Sequence, residues 1–177
     1  TYMLGRLFTK DEPCEAPSDE EDVELVEWRG IRVSPQKVRG IGFQLWPAAV
    51  FLCEHLGSTW PLPRMAESRV LAPGAGPGLV SVAAARLCKH VIATDLPEVV
   101  PSLQATLDEN KVKNCVVEAL PWGTTDVPKV DVVLAADVVY WAELHAPLLA
   151  TLRAFVENGA VALVAHTRRW RRDDKFF

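Results

Sequence analysis

A glycine-rich turn set between a strand-like run and a helix-like run constrains this chain more than any other feature. RVLAP (69–73) reads as a short strand, Gly74-Ala75-Gly76-Pro77-Gly78 as a tight turn, and LVSVAAARLC (79–88) as a helix. Glycines at such a turn accept φ > 0 and let a ligand approach the backbone. The start of the helix adds unpaired N–H groups and a positive partial charge. The next strand, HVIAT, ends at Asp95. In a doubly wound sheet this acid comes to the same carboxyl edge as the turn, where its carboxylate can accept hydrogen bonds from both hydroxyls of a ribose.

The rest of the chain continues the alternation. Before the turn, VELVEWRGIRV (23–33) predicts a hairpin with Arg29-Gly30 at its tip. A helix is expected from Pro47, a favoured first helical residue, to Leu56, with Gly57 as its cap and a loop over 58–68. After Asp95 come a helix over 98–110, with Pro101 tolerable only in its first turn, and a strand at CVVEAL. VDVVLAA follows, apolar enough to be buried on both faces. A helix over 142–157 and a last strand, AVALVA, complete the pattern. Strands alternating with helices predict an α/β fold, a Rossmann-like parallel sheet with helices on both faces. It is expected to form one domain over 23–177, preceded by a mobile acidic segment over 1–22 whose KDEPCEAPSDEED run has little to bury.

Charge and composition narrow the function. The formal net charge of -4 lacks the basic footprint of a nucleic-acid binder. Cys14, Cys53, Cys88 and Cys115 make no CxxC pair and have no histidine at zinc-ligand spacing, so they read as free thiols of a reducing compartment and no metal is expected. No run reaches the ~18 apolar residues of a membrane span, and no signal peptide is visible. The expectation is a cytoplasmic protein without a membrane partner, acting as a monomer.

Two nucleoside cofactors suit the turn and the acid. A dinucleotide site prefers G-x-G-x-x-G, whose third glycine would fall at position 79, and that position is Leu79. G-x-G-x-G is the spacing of the turn that binds S-adenosylmethionine, which has no pyrophosphate to cradle. A plain strand-to-helix connection without a ligand is the bland alternative.

From about Gly40 to the end, the chain resembles the family 16 seven-strand methyltransferases, which include many protein-lysine methyltransferases. The likeness is carried by FQLWPAAVFLCEHL, VLAPGAGPGLV, ATDLPEVVPSL, LPWG, ADVVY, PLLATLR and HTRRWRRDDKFF. The Trp-Pro start and the last block are most similar to the branch that acts on chaperones and elongation factors, its plant-type members in particular. The resemblance implies S-adenosylmethionine as cofactor and a protein substrate, a chaperone or translation factor. It implies that Trp46 borders the cofactor, that Gly74, Ala75 and Gly76 pass its methionine part, and that Asp95 binds the ribose. Trp122 would lie against the adenine and Ala136 would touch the cofactor. Asp137 and Tyr140, the D-x-x-Y pair, would be the catalytic residues facing the reaction centre and the incoming lysine. Each has a structural competitor: Trp46 as a hydrophobic staple, Trp122 as a core residue, Asp137 as the N-cap of the helix after it, Tyr140 as a rim aromatic. The cluster 168–172 reads as a solvated helix start rather than a substrate clamp.

Base-amine methyltransferases carry Asn or Asp, then Pro-Pro and an aromatic, at the end of the fourth strand of the sheet. Here that segment is Asp137-Val138-Val139-Tyr140, which disfavours nucleic acid as substrate. The chain also departs from the family, with Ala72 and Pro73 where an acid and a leucine usually stand, and Pro77 where threonine is usual. Relatives continue past the last strand with a helix and a strand hairpin, without which the fifth strand of the sheet is expected to be an exposed edge. An incomplete chain is one explanation; a degenerate copy that binds a partner without catalysing is the other. A small-molecule methyltransferase on the same fold is a third reading.

Overall fold

In the computed structural model, residues 25–36, 40–58, 65–169 and 176–177 are described. The acidic segment 1–22, Cys14, most of the 58–68 loop and residues 170–172 of the basic cluster lie outside them. The hairpin forms as β1 (Val26–Trp28) and β2 (Ile31–Val33), paired antiparallel. Arg29 and Gly30 take φ of 47° and 70°, the left-handed pair of a tight hairpin turn whose twist matches its strands. Arg86 fixes the tip by donating to the Arg29 and Gly30 carbonyls.

The main sheet contains β3 (Arg69–Pro73), β4 (His90–Asp95), β5 (Cys115–Ala119), β6 (Val132–Ala136) and β7 (Val161–Ala165). All four pairings are parallel, in the order β5-β4-β3-β6-β7. The expected parallel α/β sheet is borne out. The order reverses beside β3: the chain moves outward through β4 and β5, then crosses back to β6. Such a switch point leaves a crevice at the carboxyl ends of β3 and β6, where open α/β sheets bind ligands.

Alternation along the strands sends successive side chains to opposite faces. Val70, Val91, Val132 and Leu134 join one core with Ala48, Leu52, Leu79, Val82 and Leu107. These come from α1 (Pro47–Ser58), α2 (Leu79–Ala85) and α3 (Val100–Glu109). Leu71, Ile92, Val133 and Ala135 join the second core with Leu148, Leu152 and Phe155 of α4 (Ala142–Glu157). Burying each of the Val, Leu, Ile and Phe side chains among them contributes roughly 1.5–3 kcal/mol, so both faces of the sheet are tied down.

Three boundaries differ from the sequence reading. Helix α1 continues through Gly57 to Ser58, so Gly57 is not its cap. Helix α2 stops at Ala85 instead of Cys88, in a turn where the Leu87 and Cys88 N–H groups both bond the Ala84 carbonyl. Helix α3 starts at Val100, which puts Pro101 in its first turn as helix chemistry requires. Among the described residues, no helix is long and apolar enough to cross a membrane, and no cluster of His, Cys, Asp or Glu could hold a metal ion.

Candidate functional site

The turn after β3 works as the sequence requires. Gly74, Gly76 and Gly78 have φ of 61°, 53° and 96°, conformations that L side chains rarely adopt. Space is short as well: a Cβ on Gly74 would lie 2.8 Å from Val138 Cγ1, and one on Gly78 would lie 2.8 Å from Leu103 Cδ1, so the neighbour would have to shift. The turn is stitched to β4, since the Ala75 N–H donates to the Thr94 carbonyl (3.0 Å) and the Gly76 N–H donates to Asp95 Oδ2 (2.7 Å). Asp95 Oδ1 accepts from the Leu96 N–H at 2.8 Å. Two N–H groups thus orient the carboxylate, and each oxygen retains a lone pair. Burial raises the Asp95 pKa above its ordinary value, against the opposing effect of these two hydrogen bonds.

A cleft of about 380 Å³, its solvent-open mouth included, lies over the switch point. Its floor is Ala72 to Pro77, and Leu134 and Ala136 contribute from β6. Gln44, Leu45, Trp46 and Ala49 form the opposite wall. The lining is mostly apolar, as is common in small-ligand sites. Gln44 and Gly42 were not foreseen. Their backbone carbonyls lie 3.7 and 3.3 Å from where a Cβ on Gly76 would be, so this segment crosses directly over the turn.

On the other side of Gly74 stands Trp122, half-buried, with Cζ2 3.3 Å from the position of a Gly74 Cβ. Its turn is held by Thr151 of α4, whose buried hydroxyl accepts from the Gly123 N–H at 2.8 Å. The Tyr140 ring lies 6.0 Å from Trp122, tilted, and 5.3 Å from Trp141 edge-on. Burial, aided by the negative charge of Asp95, pushes the Tyr140 pKa up to about 12. The phenol therefore stays protonated at neutral pH, able to donate a hydrogen bond.

Asp137 is placed differently from an open catalytic acid. Its side chain is 1% exposed. Oδ2 accepts from the Ala48 N–H (3.1 Å) and the Thr167 hydroxyl (3.2 Å), and Oδ1 accepts from the Thr167 N–H (2.9 Å). Arg169 completes the shell with a two-pronged bridge, Nη1 to Oδ1 at 3.0 Å and Nη2 to Oδ2 at 3.2 Å. His166 Nδ1 is 3.5 Å from Oδ1. Burial alone would raise the Asp137 pKa; contacts with His166, Arg169 and Thr167, together with the Arg169 charge, bring it down to about 2. The capping role assigned to Asp137 goes to another helix. α4 starts after Trp141 with no side-chain cap, whereas Asp137 caps α1 by bonding an N–H of its first turn, next to the positive end of the helix dipole. Its φ of 54° is left-handed, a conformation that aspartate tolerates better than most residues.

The structure thus brings Gly74, Ala75, Gly76, Asp95, Trp122 and Tyr140 to one carboxyl edge, with Trp46 and Ala136 lining the adjoining cleft. Arg169 departs from the expectation of a solvated basic cluster. It is 15% exposed, bonded to Asp137, and seated over the Trp46 ring at 4.7 Å.

Comparison with known proteins places this architecture. The chain is 32% identical over 171 residues to the protein-lysine methyltransferase METTL21E of Bos taurus, covering 87% of this chain and 59% of that protein. It is 35% identical over 155 residues to the protein N-lysine methyltransferase METTL21A of Danio rerio, covering 82% and 70%. Among solved structures it is similar to Trm5b from Pyrococcus abyssi, with a TM-score of 0.55 and 20% identity over 73% of this chain and 36% of that one, a likeness of fold. The chain spans little more than half the length of the first of these relatives. Residues 27–177 match the family profile described as lysine methyltransferase, and the chain belongs to that family.

Proposed function

We propose that this chain carries a methyltransferase domain that uses S-adenosylmethionine to methylate a lysine side chain of a protein. The observation that carries the reading is Asp95, oriented by the Gly76 N–H beside a left-handed glycine turn at the switch point of the sheet. The group fits the residues present: an oriented carboxylate with lone pairs to spare suits a ribose, and a glycine turn without side chains leaves room for the methionine part to pass. Asp95 would bind the ribose, Trp122 would lie against the adenine, and Gly74, Ala75 and Gly76 would pass the methionine part. Trp46 and Ala136 would border it.

When bound, S-adenosylmethionine supplies a methyl group on a sulfonium, the carbon–sulfur bond breaking as the carbon–nitrogen bond forms. The incoming lysine must be neutral to attack, and its free pKa of about 10.4 opposes this. Partly desolvating the ammonium beside Trp122 and Tyr140 lowers that value. Tyr140 borders the amine and orients it, while Asp137 acts through others, holding the start of α1 and the segment after β7. Most of the rate gain comes from alignment, since fixed geometry can remove ~7–11 kcal/mol from a barrier.

The resemblance to the chaperone and elongation-factor branch supports a substrate of that kind. The net charge of -4 and the Asp137–Tyr140 segment, without Pro-Pro, weigh against nucleic acid. The free thiols of Cys53, Cys88 and Cys115 suit a reducing compartment such as the cytoplasm. Ala72 and Pro73 on the cleft floor favour a second reading, a module that binds a protein partner without catalysis. Incubating the chain with labelled cofactor and cell lysate tests the proposal. Label on lysine in a protein is expected; label confined to small molecules, or none, would overturn it.

A further inference from the structure

We infer that Arg169 is a positioning residue, holding Trp46 as a wall of the cofactor cleft through its fork to Asp137 and its cation–π contact with the indole. The inference rests on the methyltransferase reading of that cleft. A guanidinium is planar, so one group can offer two parallel N–H donors to a carboxylate in its plane and its face to a ring. Arg169 forks to Asp137 with prongs at 3.0 and 3.2 Å and at the same time holds its guanidinium carbon over the Trp46 ring, 4.7 Å from the centre. Trp46 is held at its edge as well, its indole N–H donating to the Ile41 carbonyl at 3.2 Å. The same carboxylate bonds the Ala48 N–H, two residues after Trp46. One charged pair therefore sets both the ring and the helix start that carries it. Arg169 comes from the segment beyond β7, which is fastened to Asp137 a second time by Thr167. The site is completed by a residue far from the glycine turn in sequence.

Charge neutralisation and ring positioning are separable by substitution. Arg169→Lys keeps a cation against Asp137 but loses the planar fork that spans the carboxylate and the ring; Arg169→Met loses the cation and the fork. Calorimetry with S-adenosylhomocysteine and thermal unfolding would be run on the wild-type chain and on both variants. Arg169→Lys is expected to unfold close to the wild-type temperature yet bind about tenfold more weakly. A double-mutant cycle with Trp46→Leu should be non-additive, the Trp46→Leu/Arg169→Lys chain binding no more weakly than the poorer single variant. Wild-type affinity in Arg169→Lys, or additive losses in the cycle, would overturn the inference while leaving the cofactor reading intact. Absence of binding by the wild-type chain would overturn both. Should Arg169→Met fail to fold, Arg169→Lys and its cycle still decide the question.

Discussion

Two carboxylates at one sheet edge have opposite environments, and this divides their work. Asp95 is held by two backbone N–H groups, is buried enough for its pKa to rise, and keeps lone pairs open. A ligand whose hydroxyls bond the charged form must bind less tightly as acid protonates it, and a raised pKa brings that loss to a higher pH than an ordinary aspartate would. Asp95→Asn should weaken S-adenosylhomocysteine binding by roughly tenfold or more, since hydrogen bonds to a charged partner contribute about 1.5–3 kcal/mol. It should also abolish the acid-side fall in affinity, and calorimetry across pH checks both. Asp137 is enclosed instead, its carboxylate bonded to Ala48, Thr167 and Arg169. Its folded pKa of about 2 lies below the unfolded value of ~3.9. The stability it contributes is therefore present above about pH 4 and lost as pH falls toward 2. Asp137→Asn removes the negative charge that the Arg169 fork grips in this buried pair and should cost about 3–5 kcal/mol. Urea unfolding between pH 2 and 5 should show a smaller pH slope in that variant than in the wild type.

At the scale of elements, the glycine turn is where packing and backbone conformation agree. Gly74→Ala would impose a Cβ 2.8 Å from Val138 Cγ1 at a φ of 61°. A loss of about 1–3 kcal/mol is expected, read by chemical denaturation. Adding Val138→Ala should restore only the steric share. The turn, its strand and the following helix were legible in sequence because they form one local unit whose signals lie side by side: a β-type run, glycines, then an apolar helical face. Asp95 was legible because a parallel βαβ unit delivers the end of its second strand to the edge where the first ends. The surroundings of Asp137 were not. Its partners Ala48, Thr167 and Arg169 lie 89, 30 and 32 positions away, and no periodicity announces a helix capped across such a distance. Arg169 sits in a cluster that reads as solvated, and nothing local marks it as turning inward. Thr151, likewise, is one polar residue on an apolar helix face until the Gly123 N–H is seen to meet it. The end of α2 was misjudged because Arg86–Cys88 have helical composition, while the hairpin carbonyls that Arg86 reaches lie 56 and 57 positions earlier.

For the whole molecule, the site is a convergence of segments rather than a motif. The turn after β3, the tip of β4, the 120–123 turn, the end of β6, the start of α1 and the segment after β7 meet at one end of the sheet. Both hydrophobic cores lie beneath that end, one on each face. A ligand that bridges these segments must oppose their separation, and binding to the folded state alone stabilises it by mass action. At a hundredfold excess over the dissociation constant this amounts to about 2.7 kcal/mol, or roughly 5–10 °C in midpoint for a chain of this size. S-adenosylhomocysteine should therefore raise the unfolding temperature of the wild-type chain in proportion to the logarithm of its concentration. Asp95→Asn should show little shift at the same concentrations. A nicotinamide dinucleotide should produce none, because Leu79 stands where a pyrophosphate turn needs its third glycine. An equal shift with the dinucleotide would mean that the turn reads a pyrophosphate after all. An equal shift in Asp95→Asn would mean that the ligand sits elsewhere on the molecule.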